Sequence, residues 1–456
     1  MRSSGILLPI FSLPSKYGIG SFSNESIKFV DFLVESGQKY WQILPMVIPG
    51  PCESPYQSIS SFAGNPYFID LDQLVAQKLL EQYEVDKCYW GNRLDRVDYY
   101  NVKKNKDELL HIAFLRSDHY NDHAYKDFCY KNDYWLNDYA YYMFSKNNNK
   151  NVNYYKFEQF VFDRQWKLLK SYANYKGVKI IGDIPIYVAF DSSDVYYNQS
   201  LFDLKDGQMT SVAGCPPDFS STEPQKWGNP LYNWEEHRKT NYDWWKKRMR
   251  RCIELHDVVR IDHFRGFYDY YSIPVNGDNE GEWKLGPGIE IFNKFKEEFG
   301  EIEIIAEDLG ILSQGAINLL KDSGFPGMKM LIYAFNGGND NPYLPENFGT
   351  DNAVVYTGTH DNDTIMGWYE KAPQWEKEKF RRYAGEGNPA WQMIRLAMST
   401  RANMCIIPLQ DYLVLGSEDR TNTPGTCQNN WIWRLKETPS KELAYSIKEL
   451  VNQYNR

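Results

Sequence analysis

HDVVRIDHFRG, residues 256–266, sets an aspartate, Asp262, at the end of a short β-branched run. Such a run reads as a buried parallel strand, so its terminal carboxylate emerges where the strand meets its loop. Two further stretches repeat the arrangement. EIIAEDLG, residues 303–310, ends its apolar run on Glu307, and VVYTGTHDND, residues 354–363, carries Asp361 just beyond its run. In a parallel barrel this end of the strands holds the chemistry. Eight strand candidates follow in order along the chain: SGILLP, KYWQILPM, VKIIGDIPI, HDVVRID, EIIAED, GMKMLIYAF, AVVYTGTHD and MCIIPLQD. Helical segments such as SNESIKFVDFLVESG, GIEIFNKFKEEFG and LSQGAINLLKDSG separate most of them, the alternation of βα units. Eight such units predict an α/β fold closed as a (β/α)8 TIM barrel rather than an open sheet.

A chain of 456 residues has room for one barrel with insertions or for two to three ordinary domains. The uneven strand spacing favours the first: a single catalytic barrel domain over residues 1–456 with two insertions. Residues 74–156 read as a Tyr-, Asn- and Lys-rich, largely helical insertion between the second and third strands. Residues 191–245, rich in turn residues and aromatics, read as a substrate-loop insertion between the third and fourth. There is no internal repeat or low-complexity linker, and after the eighth strand no alternating run that predicts a C-terminal β domain. A net charge of -9 argues against a nucleic-acid or anionic-membrane partner and favours a neutral substrate. The seven cysteines, at 52, 88, 129, 215, 252, 405 and 427, are scattered and never form a CxxC pair. They predict neither a disulfide framework nor a zinc site, and are expected as reduced, mostly packed thiols. The ILLPIF run near the N-terminus is too short and proline-broken for a signal peptide, and no stretch has the length of a membrane span. The expected location is the cytoplasm.

Several carboxylates on one rim, with histidines beside them and no set of cysteine ligands, suit glycosidic bond chemistry, which needs a nucleophile and a proton donor. Arg260 lies two residues before Asp262, on the same face of an extended strand. A guanidinium there favours the ionised, nucleophilic carboxylate. Glu307 follows the apolar Ile-Ile-Ala, a dry setting that favours the protonated form, and Asp308 points the other way. His263 and His360 each adjoin one of the acids and are read as hydrogen-bonding sugar hydroxyls. Each acid also has a structural reading, as an ion pair, a helix cap or a turn residue. Agreement among three strand ends tips the balance toward catalysis. The Tyr-rich stretch from 120 to 155 reads as packing of the insertion, and the basic clusters near Lys103 and over residues 246–251 as solvated helix faces.

Further strings sharpen the reading: SPYQ from Ser54, FAGNPYFIDL from Phe62, GDIPIYVAFDS from Gly182, AGCPPD from Ala213, WGNPLY from Trp227, VRIDHFRGF from Val259, AEDLG from Ala306, PGMK from Pro326 and GTHDNDT from Gly358. Together they resemble the amylomaltases, the 4-α-glucanotransferases (disproportionating enzymes) of glycoside hydrolase family 77 in the α-amylase clan, from about Gly5 to Trp433. The resemblance implies transfer of α-1,4-glucan segments by a retaining double displacement through a covalent glycosyl-enzyme. Maltooligosaccharides and α-1,4-glucans would be donors, and glucose or a maltooligosaccharide the acceptor. It implies Asp262 as nucleophile, Glu307 as general acid/base and Asp361 as transition-state stabiliser. Arg260 would orient Asp262, while Asp183, His263 and His360 would hold hydroxyls of the sugar at the cleavage point. Ser54, Tyr56, Trp227, Asn229 and Phe219 would line the subsites, with no metal or organic cofactor. Ordinary α-amylases place an Asn-His pair four and five residues after the position of Asp183, where this chain has Tyr187 and Val188. Many amylomaltases carry two neighbouring aromatics after AGCPPD, where this chain has Phe219 then Ser220, followed by Glu223 and Pro224. An intracellular α-1,4-glucan hydrolase using the same acids is the alternative. A noncatalytic glucan-binding protein would have no need of all three acids, and an unrelated barrel enzyme should show a Schiff-base lysine or a phosphate loop.

Overall fold

The computed structural model describes residues 2–147, 150–217, 224–276 and 280–456. Its eight parallel strands are β1 (Ser3–Leu7), β2 (Tyr40–Gln42), β3 (Lys179–Pro185), β4 (Val258–Asp262), β5 (Ile304–Ala306), β6 (Gly327–Met330), β7 (Ala353–Tyr356) and β8 (Met404–Pro408). They lie one in each of the eight runs picked out above. The ladder runs β5-β4-β3-β2-β1-β8-β7-β6, so every strand neighbours the next in sequence and β8 returns to β1. Between β5 and β6 the Ala306 N–H donates to the Pro326 carbonyl at 2.9 Å, which closes the (β/α)8 barrel. Ile6, Trp41, Ile180, Val259, Ile305, Met328, Val355 and Ile406, one from each strand, are fully buried. A strand covered on both faces needs such continuous apolar sequence, which is why these runs were legible.

Register sets the heights of the rim residues. Asp183 pairs with Arg260 and Pro185 with Asp262, while Ala306 pairs with Ile261. Glu307 and Asp262 therefore leave neighbouring strands at the same level.

Between β2 and β3 the described residues form six α-helices: Leu71–Ala76, Gln82–Asp86, Tyr99–Arg116, His123–Lys131, Asp133–Lys146 and Val152–Tyr175. Tyr125, Tyr139, Tyr154 and Tyr155 pack inside this group, while buried Tyr142 faces Tyr196 and Asp191 beyond β3. Between β3 and β4 lie Ser211–Cys215 and Gln225–Pro230, which join Asp269–Pro274 and Glu282–Leu285 from the loop after β4 in one antiparallel sheet. The sequence concealed this sheet because its short strands find their partners in different βα units. After β8 come helices Leu409–Tyr412 and Lys441–Gln453, with no further strand among the described residues.

Three expectations need correction. The basic cluster near Lys103 is not a solvated face throughout, because Lys106 is fully buried and donates from Nζ to the Ile69 carbonyl at 2.5 Å. Cys52 and Cys427 are not reduced thiols; they form a disulfide across 375 residues. Spacing could not reveal it, because the pairing arises only when β2 and β8 flank β1 and their following loops meet. The basic run 246–251 is not a solvated face throughout: on helix Asp243–Leu255, Arg248 and Arg251 are 2% and 1% exposed. Three residues apart, they fall on the helix's inner face. Arg251 Nη1 meets Asp163 Oδ1 at 2.9 Å, and Arg248 donates from Nη1 to the Ile186 carbonyl at 3.0 Å.

Candidate active site

Arg260 organises the rim from below. From β4 its buried Nη1 lies 2.7 Å from Asp183 Oδ2 on β3 and 3.0 Å from Asp262 Oδ1. Burial alone would pull a guanidinium down, but the facing carboxylates of Asp183 and Asp262 hold it well above its ordinary value. Close approach at this level needs Gly182: a Cβ there would stand 2.2 Å from the His256 ring.

Directly after Asp262 the backbone turns sharply. His263 adopts φ 53°, in the left-handed region that non-glycine residues seldom enter. The turn aims its N–H at Glu307 Oε2, 2.7 Å away, and Leu309 N–H donates to Glu307 Oε1 at 2.8 Å. Burial raises the Glu307 carboxyl, the nearby Asp262 charge raises it further, and Arg260 with the two N–H groups opposes them; the result is about 7. A group poised there serves as both acid and base near neutral pH. Asp308 points away and accepts from Met328 N–H at 2.6 Å. Burial lowers His263 to about 4, so its ring is neutral.

Asp361 sits on the turn after β7. Asn422 Nδ2 donates to its Oδ1 at 2.6 Å, and Arg420 Nη2 donates to its carbonyl at 2.9 Å. His360 Nε2 stands 3.3 Å from Asp361 Oδ2, a charge contact off the line of a hydrogen bond. Burial would raise Asp361, yet His360 and the Asn422 hydrogen bond outweigh it and bring the carboxyl to about 2. Burial would likewise lower His360, and Asp361 turns its net shift upward. The Asp361 carboxylate is therefore charged near neutral pH.

The remaining side chains extend this rim. Tyr56 donates to Asp183 Oδ2 at 2.7 Å and stacks on His360, with ring centres 5.2 Å apart. Ser54 Oγ accepts from Tyr56 N–H at 3.3 Å. Gln57 Nε2 donates to Asn229 Oδ1 at 2.8 Å and to the Trp227 carbonyl at 3.0 Å. Trp227 meets His263 edge-on at 4.9 Å. Tyr187 packs near both, 6.3 Å from each ring. Phe219, with Ser220 and Glu223, lies outside the described residues. Among the described residues no group of three or more His, Cys, Asp or Glu side chains is arranged to hold a metal ion.

A family model described as 4-alpha-glucanotransferase, that of glycoside hydrolase family 77, matches residues 8–151 and 144–439. The chain belongs to this glucanotransferase family. It is 43% identical to the 4-alpha-glucanotransferase of Clostridium butyricum, over 98% of this chain and 99% of that one. It is 39% identical to that of Thermus thermophilus, over 95% of each. The structure of an amylomaltase from Streptococcus agalactiae in complex with acarbose superposes with a TM-score of 0.95 at 35% identity, covering 100% of both chains. The protein is thus an enzyme, a 4-alpha-glucanotransferase.

Three parts of the glucanotransferase rim escaped the sequence reading. Gln57 carries no chemical signal of its own within SPYQ, yet it ties Asn229 to the Ser54 loop. Asn422 lies past the last strand in TNTPG, which reads as a turn. Trp431 stands 5.8 Å from Tyr56 and 5.9 Å from His360. The loop after β8 offered no β-branched run to mark it as part of the site.

Proposed function

We propose that Asp262 and Glu307 transfer α-1,4-glucan segments by a retaining double displacement. Asp262 attacks the anomeric carbon while protonated Glu307 gives its proton to the departing glycosidic oxygen, leaving a glycosyl ester on Asp262. Glu307, now ionised, takes the proton of an incoming sugar hydroxyl, whose oxygen displaces Asp262. Asp361 faces the positive charge that develops on the ring between these states. The observation that carries this reading is Glu307 poised at about 7 at the same level as Asp262, whose carboxylate is paired with Arg260. In this reading Asp183, His263 and His360 hold hydroxyls of the reacting sugar. Ser54, Tyr56, Trp227, Asn229 and Phe219 line the subsites, supported for the described residues by the chain of contacts from Tyr56 to Asp183 and from Gln57 to Asn229.

A transferase must favour a sugar over water once the ester forms, which requires a bound and aligned acceptor that shields the site. Maltooligosaccharides and α-1,4-glucans are the donors in this reading, and glucose or a maltooligosaccharide the acceptor. Acarbose, present in the S. agalactiae complex, is expected to compete with the donor here. The working domain is one barrel with insertions at 74–156 and 191–245, and the setting is cytoplasmic. The test is incubation with maltotriose while following every product length and the total reducing ends. Glucose together with maltopentaose and longer chains, at constant reducing ends, is the expected result. Shortening products with rising reducing ends would overturn it.

A further inference from the structure

The rim carries a covalent link that the reaction does not use. Cys52, in the loop after β2, and Cys427, in the loop after β8, are bonded through their sulfurs, and both residues are exposed. The bond therefore ties two loops of the site within reach of a dissolved reductant. Ser54 and Tyr56 follow Cys52 closely, and Asn422 and Trp431 flank Cys427.

The two loops are not equally held without it. On the Cys427 side, Trp431 N–H donates to the Thr421 carbonyl at 2.7 Å and Asn422 N–H to the His360 carbonyl at 3.0 Å. Asn430 also ties itself to Thr423 N–H at 2.9 Å and to the Thr426 carbonyl at 2.8 Å. This loop is fixed by its own hydrogen bonds. Both loops contain residues with a side chain in the left-handed region, Cys52 and Glu53 at φ 57° and 60° and Asn429 and Trp431 at φ 61° and 62°, so the difference between them lies in their hydrogen bonds. Among the described residues the segment of Cys52 and Glu53 is held by longer bonds, from Gly50 N–H and Gln57 N–H to the Ser54 carbonyl at 3.3 Å, from Tyr56 N–H to Ser54 Oγ at 3.3 Å and from Ser54 N–H to the Pro51 carbonyl at 3.2 Å, besides a Glu53–Lys103 ion pair at 2.7 Å. Tyr56 and Gln57, by contrast, have the partners named above. The segment that depends on the disulfide is thus residues 51–55, which includes Ser54.

We propose that Cys52 and Cys427 form a redox-governed positioning brace for the donor-binding rim. Oxidised, the pair holds the Ser54 loop against the site; reduced, it releases that loop and weakens donor binding. The thiolate of a dithiol reductant attacks one sulfur and breaks the Cys52–Cys427 bond, giving a mixed disulfide and one protein thiol. The reductant's second thiol then displaces the other cysteine. The protein gains two electrons and two protons, and the reductant becomes a disulfide. In a reducing cytoplasm the loose form would be the resting one, and oxidation would tighten the site. The proposal rests on the reading that Ser54 lines a sugar subsite.

Reduction is expected to raise KM for maltotriose roughly tenfold, the scale of leaving one loop residue to be ordered by the ligand. Turnover at saturation should hold, because Asn422 keeps Asp361 in place through its own bond. The experiment equilibrates the whole protein in buffers of graded reduced and oxidised dithiothreitol. In each it measures the Cys52–Cys427 cross-linked peptide by mass spectrometry, and KM and kcat for maltotriose. KM should rise as the cross-link disappears and recover on reoxidation, and Cys52→Ser and Cys427→Ser should each have the raised KM and ignore the reductant. A KM that stays constant while the cross-link is lost, or a cross-link that never forms under oxidant, overturns the proposal. Reversible reduction of the native sequence decides the matter even if a variant fails to fold. Amide hydrogen exchange needs no turnover: it should quicken at residues 51–55 on reduction and stay unchanged at 420–432. Equal exchange at 51–55 in both states overturns the brace. Absence of maltotriose turnover in both states counts instead against the functional reading.

Discussion

The backbone N–H of His263 donates to Glu307 Oε2 at 2.7 Å. The residue after Asp262 thereby fixes the carboxyl on the neighbouring strand, and the left-handed turn at His263 is the conformation that allows it. Strain of this kind persists only where surrounding bonds over-determine it. Here Phe264 N–H donates to the Glu307 carbonyl and Glu307 N–H to that of Ile261, both at 3.0 Å. The two acids are held as one unit.

Removal of any of the three acids should therefore be severe. Asp262→Ala, Glu307→Gln and Asp361→Asn are each expected to lose about a thousandfold or more in kcat, with effects that do not add. Steady-state rates on maltotriose beside circular dichroism spectra check this. A well-folded variant with near-normal turnover would remove its residue from the mechanism.

Glu307 is expected to set the alkaline limit of activity. With its carboxyl at about 7, the form that can protonate the leaving oxygen disappears above that pH. A profile of kcat/KM should fall by about tenfold per pH unit beyond it. Asp361, held at about 2, stays charged throughout and contributes no limb in the working range. Activity that stays level to pH 9 would contradict the role given to Glu307.

The same shift makes a stability statement of definite sign. The folded value of about 7 lies above the ordinary 4.5, so folding binds this proton more tightly. Its contribution is complete below pH 4.5 and is lost as pH rises through 7. Glu307→Gln, which cannot ionise, should gain melting temperature relative to the native sequence between pH 5 and pH 8. Calorimetry at both values measures this, and an unchanged difference would mean that Glu307 titrates normally.

Asn422 should matter although it lies far from the acids in sequence. Its bond to Asp361 at 2.6 Å is charge-assisted, and losing one such bond costs about 1.5–3 kcal/mol. If that bond is fully felt in the transition state, Asn422→Ala should lower kcat by roughly 10- to 100-fold. Rates equal to the native enzyme would place the control of Asp361 elsewhere, with His360 and Arg420.

What the sequence disclosed and what it hid have physical causes. Asp262 and Glu307 were legible because each closes a β-branched run that a doubly covered strand requires, and Arg260 because strand alternation places it on the same face as Asp262. Trp431 beside Tyr56 and the Cys52–Cys427 bond were hidden because they depend on β2 and β8 flanking β1, a neighbourhood created only by barrel closure, and Asn422 because it reaches Asp361 from a turn-like loop after β8. Arg248 and Arg251 misled because five of six residues in their run are basic, yet helical spacing turns these two inward onto backbone carbonyls and Asp163.

The most direct test is to trap the intermediate. Glu307→Gln should be incubated with α-maltotriosyl fluoride, whose leaving group needs no proton, and the digested protein mapped by mass spectrometry. A maltotriosyl ester on Asp262 is the expected result, since the first displacement proceeds and the second lacks its base. A label on another residue, or fluoride release with no labelled protein at any time, would contradict the assignment of Asp262 as the nucleophile.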